Sequence, residues 1–213
     1  ESGTRIYKIV REQLTNRRID QSAILRQLPI GHFTLRSGRN NLFSNLLAED
    51  GYAFSQADIN LTSSPTKGLD GQINIDSLVY NDIHLDSIRA DLTSIDGQLN
   101  YTLSVRNNPK NAYPYHGYLQ GALYEHGLQT HATILDNKGK KGFDLAMQAA
   151  MKGRGIQLSI ISPQSILGYK SFTVNDSNYI YIGRDRRLSA NLRLEAADGT
   201  GMLVSTEDTD STS

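Results

Sequence analysis

From Leu69 to Val105 the chain reads LDGQINIDSLVYNDIHLDSIRADLTSIDGQLNYTLSV, and apolar and polar residues alternate through it. The apolar positions are Ile73 and Ile75, then Ile88, Ala90 and Leu92, then Leu99, Tyr101, Leu103 and Val105. Asn74, Asp76, Arg89, Asp91, Asn100, Thr102 and Ser104 fall between them. A period of two is the mark of strands with one buried and one wet face. Asp70-Gly71-Gln72 and Asp96-Gly97-Gln98 repeat one tripeptide 26 residues apart, and each is expected to open a strand of a repeating antiparallel meander. The parity slips once. Ile83 and Leu85 are odd where Ile88, Ala90 and Leu92 are even, which predicts a β-bulge, or a turn, at Asp86-Ser87.

The same pattern runs through most of the chain. Strands are expected at Gly31–Arg36, Ala57–Thr62, Tyr113–Leu123, Leu128–Ile134, Phe143–Ala149 and Ile156–Ile160, then around Phe172, Tyr179, Leu188–Ala196 and Met202–Val204. That makes roughly a dozen strands at the spacing of an all-β protein. Ile161–Gly168 reads as an interruption of the meander. Leu42, Phe43, Leu46 and Leu47 mark a short helix capped at Asn40 or Asn41. Ile6, Ile9, Val10 and Leu14 mark an amphipathic helix over residues 3–16, and a weaker apolar pattern at Ile19, Ile24, Leu25 and Leu28 stops at Pro29. Its basic face suits a membrane surface; packing on the sheet is the plainer reading. The expected organisation is a helical segment over 1–29, the meander over 30–206 and a polar disordered tail over 207–213.

Composition narrows the function. The 213 residues hold 22 basic and 22 acidic side chains, so no basic excess points to nucleic acid. Without cysteine there is no thiol chemistry or disulfide. No run of about 18 apolar residues is present to span a bilayer as a helix. Glu1 opens the chain without a signal peptide, which suggests a piece of a longer protein.

Residues that could carry chemistry are scattered. His32, His84, His116, His126 and His131 lack a helical His pair and a carboxylate at ligand spacing, so solvated strand histidines are expected rather than a metal site. The regular aspartates Asp70, Asp76, Asp82, Asp86, Asp91 and Asp96 lack a calcium-repeat pattern and read as turn and wet-face residues. No Gly-x-Ser-x-Gly elbow or phosphate loop occurs. Tyr113-Pro-Tyr-His-Gly-Tyr118 suits a carbohydrate platform, but reads better as an edge strand whose proline blocks pairing. Lys138, Lys140 and Lys141 sit at a hairpin tip and read as a solvated loop. Neither an enzymatic activity nor a cofactor is expected.

The run Asp76-Ser-Leu-Val-Tyr-Asn-Asp-Ile-His-Leu-Asp-Ser-Ile-Arg-Ala-Asp-Leu92 resembles the repeated strands of AsmA-like proteins, specifically the TamB-like members of Bacteroidetes type. Gly38–Leu47, followed by Tyr52, and Ser162–Asn175, followed by Tyr179, resemble them too. The resemblance spans most of residues 30–206 and implies an internal, periplasmic fragment of an inner-membrane-anchored envelope protein. It implies an elongated meander curved into a taco-like groove with an apolar interior, a translocation and assembly module for phospholipid transport or outer-membrane protein assembly. The implied partners are phospholipid acyl chains and an outer-membrane protein of the Omp85 class. The residues expected to line the groove are Ile73, Ile75, Ile88, Leu92, Leu99, Leu103, Leu145, Met147, Leu158 and Leu192. The alternative is a carbohydrate-binding or structural β-sandwich module, which one-sided alternation suits as well.

Overall fold

The structure, a computed structural model, describes residues 8, 12, 20–81, 83–107, 111, 113–185 and 187–206. Apart from Lys8 and Glu12, the expected first helix over 3–16 lies outside the described residues, as does the tail over 207–213.

The described residues form one antiparallel sheet of 15 strands, an all-β fold. The elements are α1 (Gln21–Leu25), β1 (Gly31–Gly38), α2 (Leu42–Glu49), β2 (Tyr52–Ala53), β3 (Gln56–Ser64), β4 (Gly68–Tyr80), β5 (Ile83–Ile95), β6 (Gln98–Asn107), β7 (Tyr115–Tyr124) and β8 (Gly127–Asp136). They continue as β9 (Lys141–Lys152), β10 (Gly155–Ile160), β11 (Gln164–Leu167), β12 (Lys170–Val174), β13 (Tyr179–Gly183), β14 (Leu188–Glu195) and β15 (Gly201–Ser205). From β3 to β9 each strand pairs with the next in sequence.

Beyond β9 the strand order departs from the sequence order because two strands are interrupted. β10 pairs with Met147–Lys152 of β9, and β11 pairs with Phe143 and Asp144 on the same strand. β10 and β11 are therefore one interrupted strand, and β12 and β13, which pair with them and then with β14, are a second. Residues 161–168, expected as a break in the meander, thus contain a strand: Gln164–Leu167 rejoins the ladder.

A side chain bridges the matched gaps. Asn178 Oδ1 accepts the Ile160 N–H at 2.7 Å and its Nδ2 donates to the Ile160 carbonyl at 2.9 Å. The amide thus stands in for a strand residue. Asn178→Ala leaves both groups unpaired and should cost about 1–3 kcal/mol. A fall in the urea midpoint with faster amide exchange at Ile160 is expected; an unchanged midpoint would mean that water substitutes for the amide.

The repeated tripeptide proves to have two structures. Asp96 and Gly97, at φ 51° and 75°, form the two-residue turn between β5 and β6 that right-twisted hairpins favour. Asp70 and Gly71 instead lie inside β4. There the Asp70 carboxylate accepts the Ser94 N–H at 2.8 Å, and a Cβ on Gly71 would run into the Asn60 carbonyl. The turn before β4 lies at residues 65–67. The expected bulge is present: the β5–β6 register shifts between Leu85 and Ser87, while Ser77 opposite takes φ 53°. Ile75 and Leu78 therefore share a face, paired with Ile88 and Leu85.

β7 is not an edge strand: β6 and β8 flank it. Pro114 stands one residue before β7, where its missing N–H removes nothing from the ladder. Helix α2 carries the expected cap at Asn41, in a capping box with Ser44, yet Leu42 stays 79% exposed. Helix α1 lies across hairpin ends: the Gln21 N–H donates to the Glu125 carbonyl at 3.3 Å, and Leu28 is buried.

Candidate functional site: the apolar face

In an antiparallel ladder directly paired residues share a face, so the register traces rows across the sheet. One row is Leu35, Ile59, Ile73, Ala90, Leu103, Leu119, Ala132 and Leu145. It crosses β1 and β3–β9 without a polar residue, a span of roughly 34 Å at the usual strand spacing. Ala57, Ile75, Ile88 and Val105 form a parallel row on one side. On the other side Leu92 pairs with Tyr101, and Thr130 with Met147. Beyond it lie Leu99, Leu123, Leu128, Ala149, Leu158, Ile180 and Ala190.

All ten residues expected to line a groove therefore fall on one face. Nine are half-buried or exposed, with Met147 and Leu158 each 39% exposed. Leu192 differs. It is 7% exposed, packed with Val174 and Leu194 against Ile160, Leu167, Phe172, Ile180 and Val204. It belongs to a local core at the β10–β15 end and is not a lining residue. Elsewhere the described residues form no second sheet over the apolar face.

Tyr101 crosses this face. Its hydroxyl donates to the Gln129 carbonyl at 3.2 Å, over Gly121, where a Cβ would meet the ring. The Thr130 hydroxyl nearby is buried without a hydrogen-bond partner among the described residues.

A hollow of about 410 Å³ lies on the opposite, polar face. Asp91, Thr102, Gln120 and His131, which share one cross-strand row, line it together with Thr93, Asn100 and Gln129.

The polar face also joins groups that looked isolated in sequence. Asp144 stands opposite Thr133, one position from His131 on the same side of β8, and bonds His131 Nε2, Lys141 Nζ and the Thr133 hydroxyl. His131 therefore does have a carboxylate partner, and Lys141 is paired rather than a loop cation. Lys140 also lies over the Tyr169 ring at 5.2 Å. Arg89 likewise bonds Asp76. These cross-strand partners lie 11 to 13 residues apart in sequence, so only the register reveals them.

Partial burial works to raise the Asp144 pKa, but hydrogen bonds from Lys141 and His131 outweigh it and hold the carboxyl below its ordinary value. Because the folded value is the lower one, the stabilisation is complete above the unfolded pKa near 4 and is lost as pH falls through the folded value. Asp144→Asn should cost about 1 kcal/mol at neutral pH. Its urea midpoint should converge on that of the parent below pH 4; a constant gap would rule out the linkage.

Ser104 Oγ lies 2.9 Å from His116 Nε2, and Tyr118 bonds His116 Nδ1 at 2.8 Å. Burial, then Arg106, lower the His116 pKa, which favours the neutral ring. A serine–histidine pair also needs donors for an oxyanion, and here Ser104 stands in ladders with both β5 and β7 that use the backbone N–H groups. Among the described residues no group of three His, Asp or Glu is placed to hold a metal.

Comparisons with family models, with curated proteins and with solved structures returned no match.

Proposed function

We propose that this chain is a periplasmic segment of a TamB-like translocation and assembly module, and that its apolar sheet face carries phospholipid acyl chains between the inner and outer membranes. In this reading an Omp85-class partner at the outer membrane receives the full-length protein, and the same face can shelter strands of outer-membrane proteins. The row from Leu35 to Leu145 carries the proposal. Its span of roughly 34 Å compares with the ~30 Å hydrocarbon core of a bilayer.

Burial of apolar area is non-directional, so a chain lying on the rows exchanges equivalent contacts as it moves. Each methylene covered contributes about 0.8 kcal/mol. No single side chain has to perform chemistry. The resemblance of residues 76–92 to AsmA-like repeats points the same way.

Mass spectrometry of lipids extracted from the chain, purified from bacterial envelope without detergent, tests the reading. A phospholipid signal near one molecule per chain is expected. A blank from well-folded protein overturns it.

A further inference from the structure

Two tight turns meet at one end of the sheet. Gly153-Arg154 joins β9 to β10, and Arg184 begins the connection from β13 to β14. The Arg184 N–H donates to the Arg154 carbonyl at 3.0 Å, and Gly155 pairs with Gly183. A Cβ on Gly155 would run into the Ile182 carbonyl and the Tyr181 ring, so the glycine permits this close approach.

The turns bring Lys152, Arg154, Arg184 and Arg187 to one exposed corner. Asp185 is the one acid described on these turns, and it closes on its own loop, accepting the Arg187 N–H at 3.1 Å and pairing with the Arg187 side chain at 3.3 Å. Lys152, Arg154 and Arg184 make no ion pair among the described residues. The chain as a whole balances 22 bases against 22 acids, so the corner is a local excess. One position inboard, the apolar face begins with Met151, Ile156, Ile182 and Leu188, paired one to the next. Leu188 is 54% exposed.

We propose that this corner binds the anionic headgroup of a phospholipid. Arg154 and Arg184 hold the phosphate, with Lys152 and Arg187 adding field, and the acyl chains lie along the Met151–Leu188 row. The proposal rests on the acyl-chain reading above and names the lipid class it takes. Guanidinium groups match phosphate oxygens in a two-pronged geometry, and an apolar row one residue away suits the glycerol-linked chains. Elsewhere Lys170 is taken by Asp198 and Lys141 by Asp144.

Tail-labelled phosphatidylglycerol and phosphatidylcholine, titrated separately against the full chain at low salt, test this. Phosphatidylglycerol, whose headgroup carries a net negative charge where that of phosphatidylcholine is zwitterionic, should bind about tenfold tighter. Arg154→Glu with Arg184→Glu should abolish that preference while phosphatidylcholine still binds. Arg154→Gln with Arg184→Gln, which adds no repulsion, should reduce it several-fold, and Lys138→Glu at the far end should leave it intact. Equal binding of the two lipids, or a preference that survives both double variants, overturns the headgroup site and leaves the acyl-chain reading standing. Binding of neither lipid overturns both. Displacement of phosphatidylglycerol by equimolar inorganic phosphate overturns the lipid assignment in favour of a free-anion site.

Discussion

Leu145→Asp should strip phospholipid from the chain without unfolding it. Leu145 ends the apolar row that starts at Leu35, paired with Ala132. The described residues form no second sheet over that face, so the introduced carboxylate stays hydrated and the cost to folding should be about 1–2 kcal/mol. Once an acyl chain covers the row, the same carboxylate must lose water with no partner in exchange, a penalty of several kcal/mol. Lipid recovered per chain should fall at least tenfold, while circular dichroism stays that of a β-sheet. Leu103→Asp in the same row should behave alike. Gln120→Asp, on the polar face, should retain lipid. Equal retention in all three would place the lipid elsewhere.

Leu194→Ala should be the most costly single truncation in the described sheet. Leu194 is 4% exposed, paired with Val174 and clustered with Leu192. Removing its branched end leaves a cavity that the strands cannot collapse into freely, worth about 2–5 kcal/mol. Leu103→Ala removes the same atoms from a half-exposed row and should cost about 1 kcal/mol. Urea unfolding of the two variants measures the difference. If both lose the same stability, the buried core is not confined to the β10–β15 end. Leu194→Asp, which buries an unpaired charge, should prevent this end from folding at all.

Local rules sufficed for much of the fold. The alternation located most strands, the odd-to-even slip from Leu85 to Ile88 located the bulge, and the asparagines Asn40 and Asn41 before Leu42 located a cap. Each depends on neighbours within a few residues, where backbone sterics and hydrogen bonding decide the outcome. The Asp-Gly-Gln pair shows where such rules stop. At Asp96 the next strand folds straight back and the tripeptide turns. At Asp70 the chain has already turned at residues 65–67, and Gly71 serves the close approach of Asn60 instead. Pro114 misled for a similar reason: its effect depends on standing before β7 rather than within it. Residues 161–168 looked like a loop because the four-residue β11 is too short to show a period.

By itself the sequence determined that this chain forms strands and that each strand has one apolar side. Only the tertiary structure decided that the rows join across β1 to β14, that Leu192 is sealed in a local core while Leu145 stays open, and that His131 meets Asp144. It also decided that Arg154 and Arg184 share a corner. Parity is a property of successive residues along one strand, whereas rows, cores and charge clusters depend on which strands lie side by side, and pairing is set by register across the whole sheet.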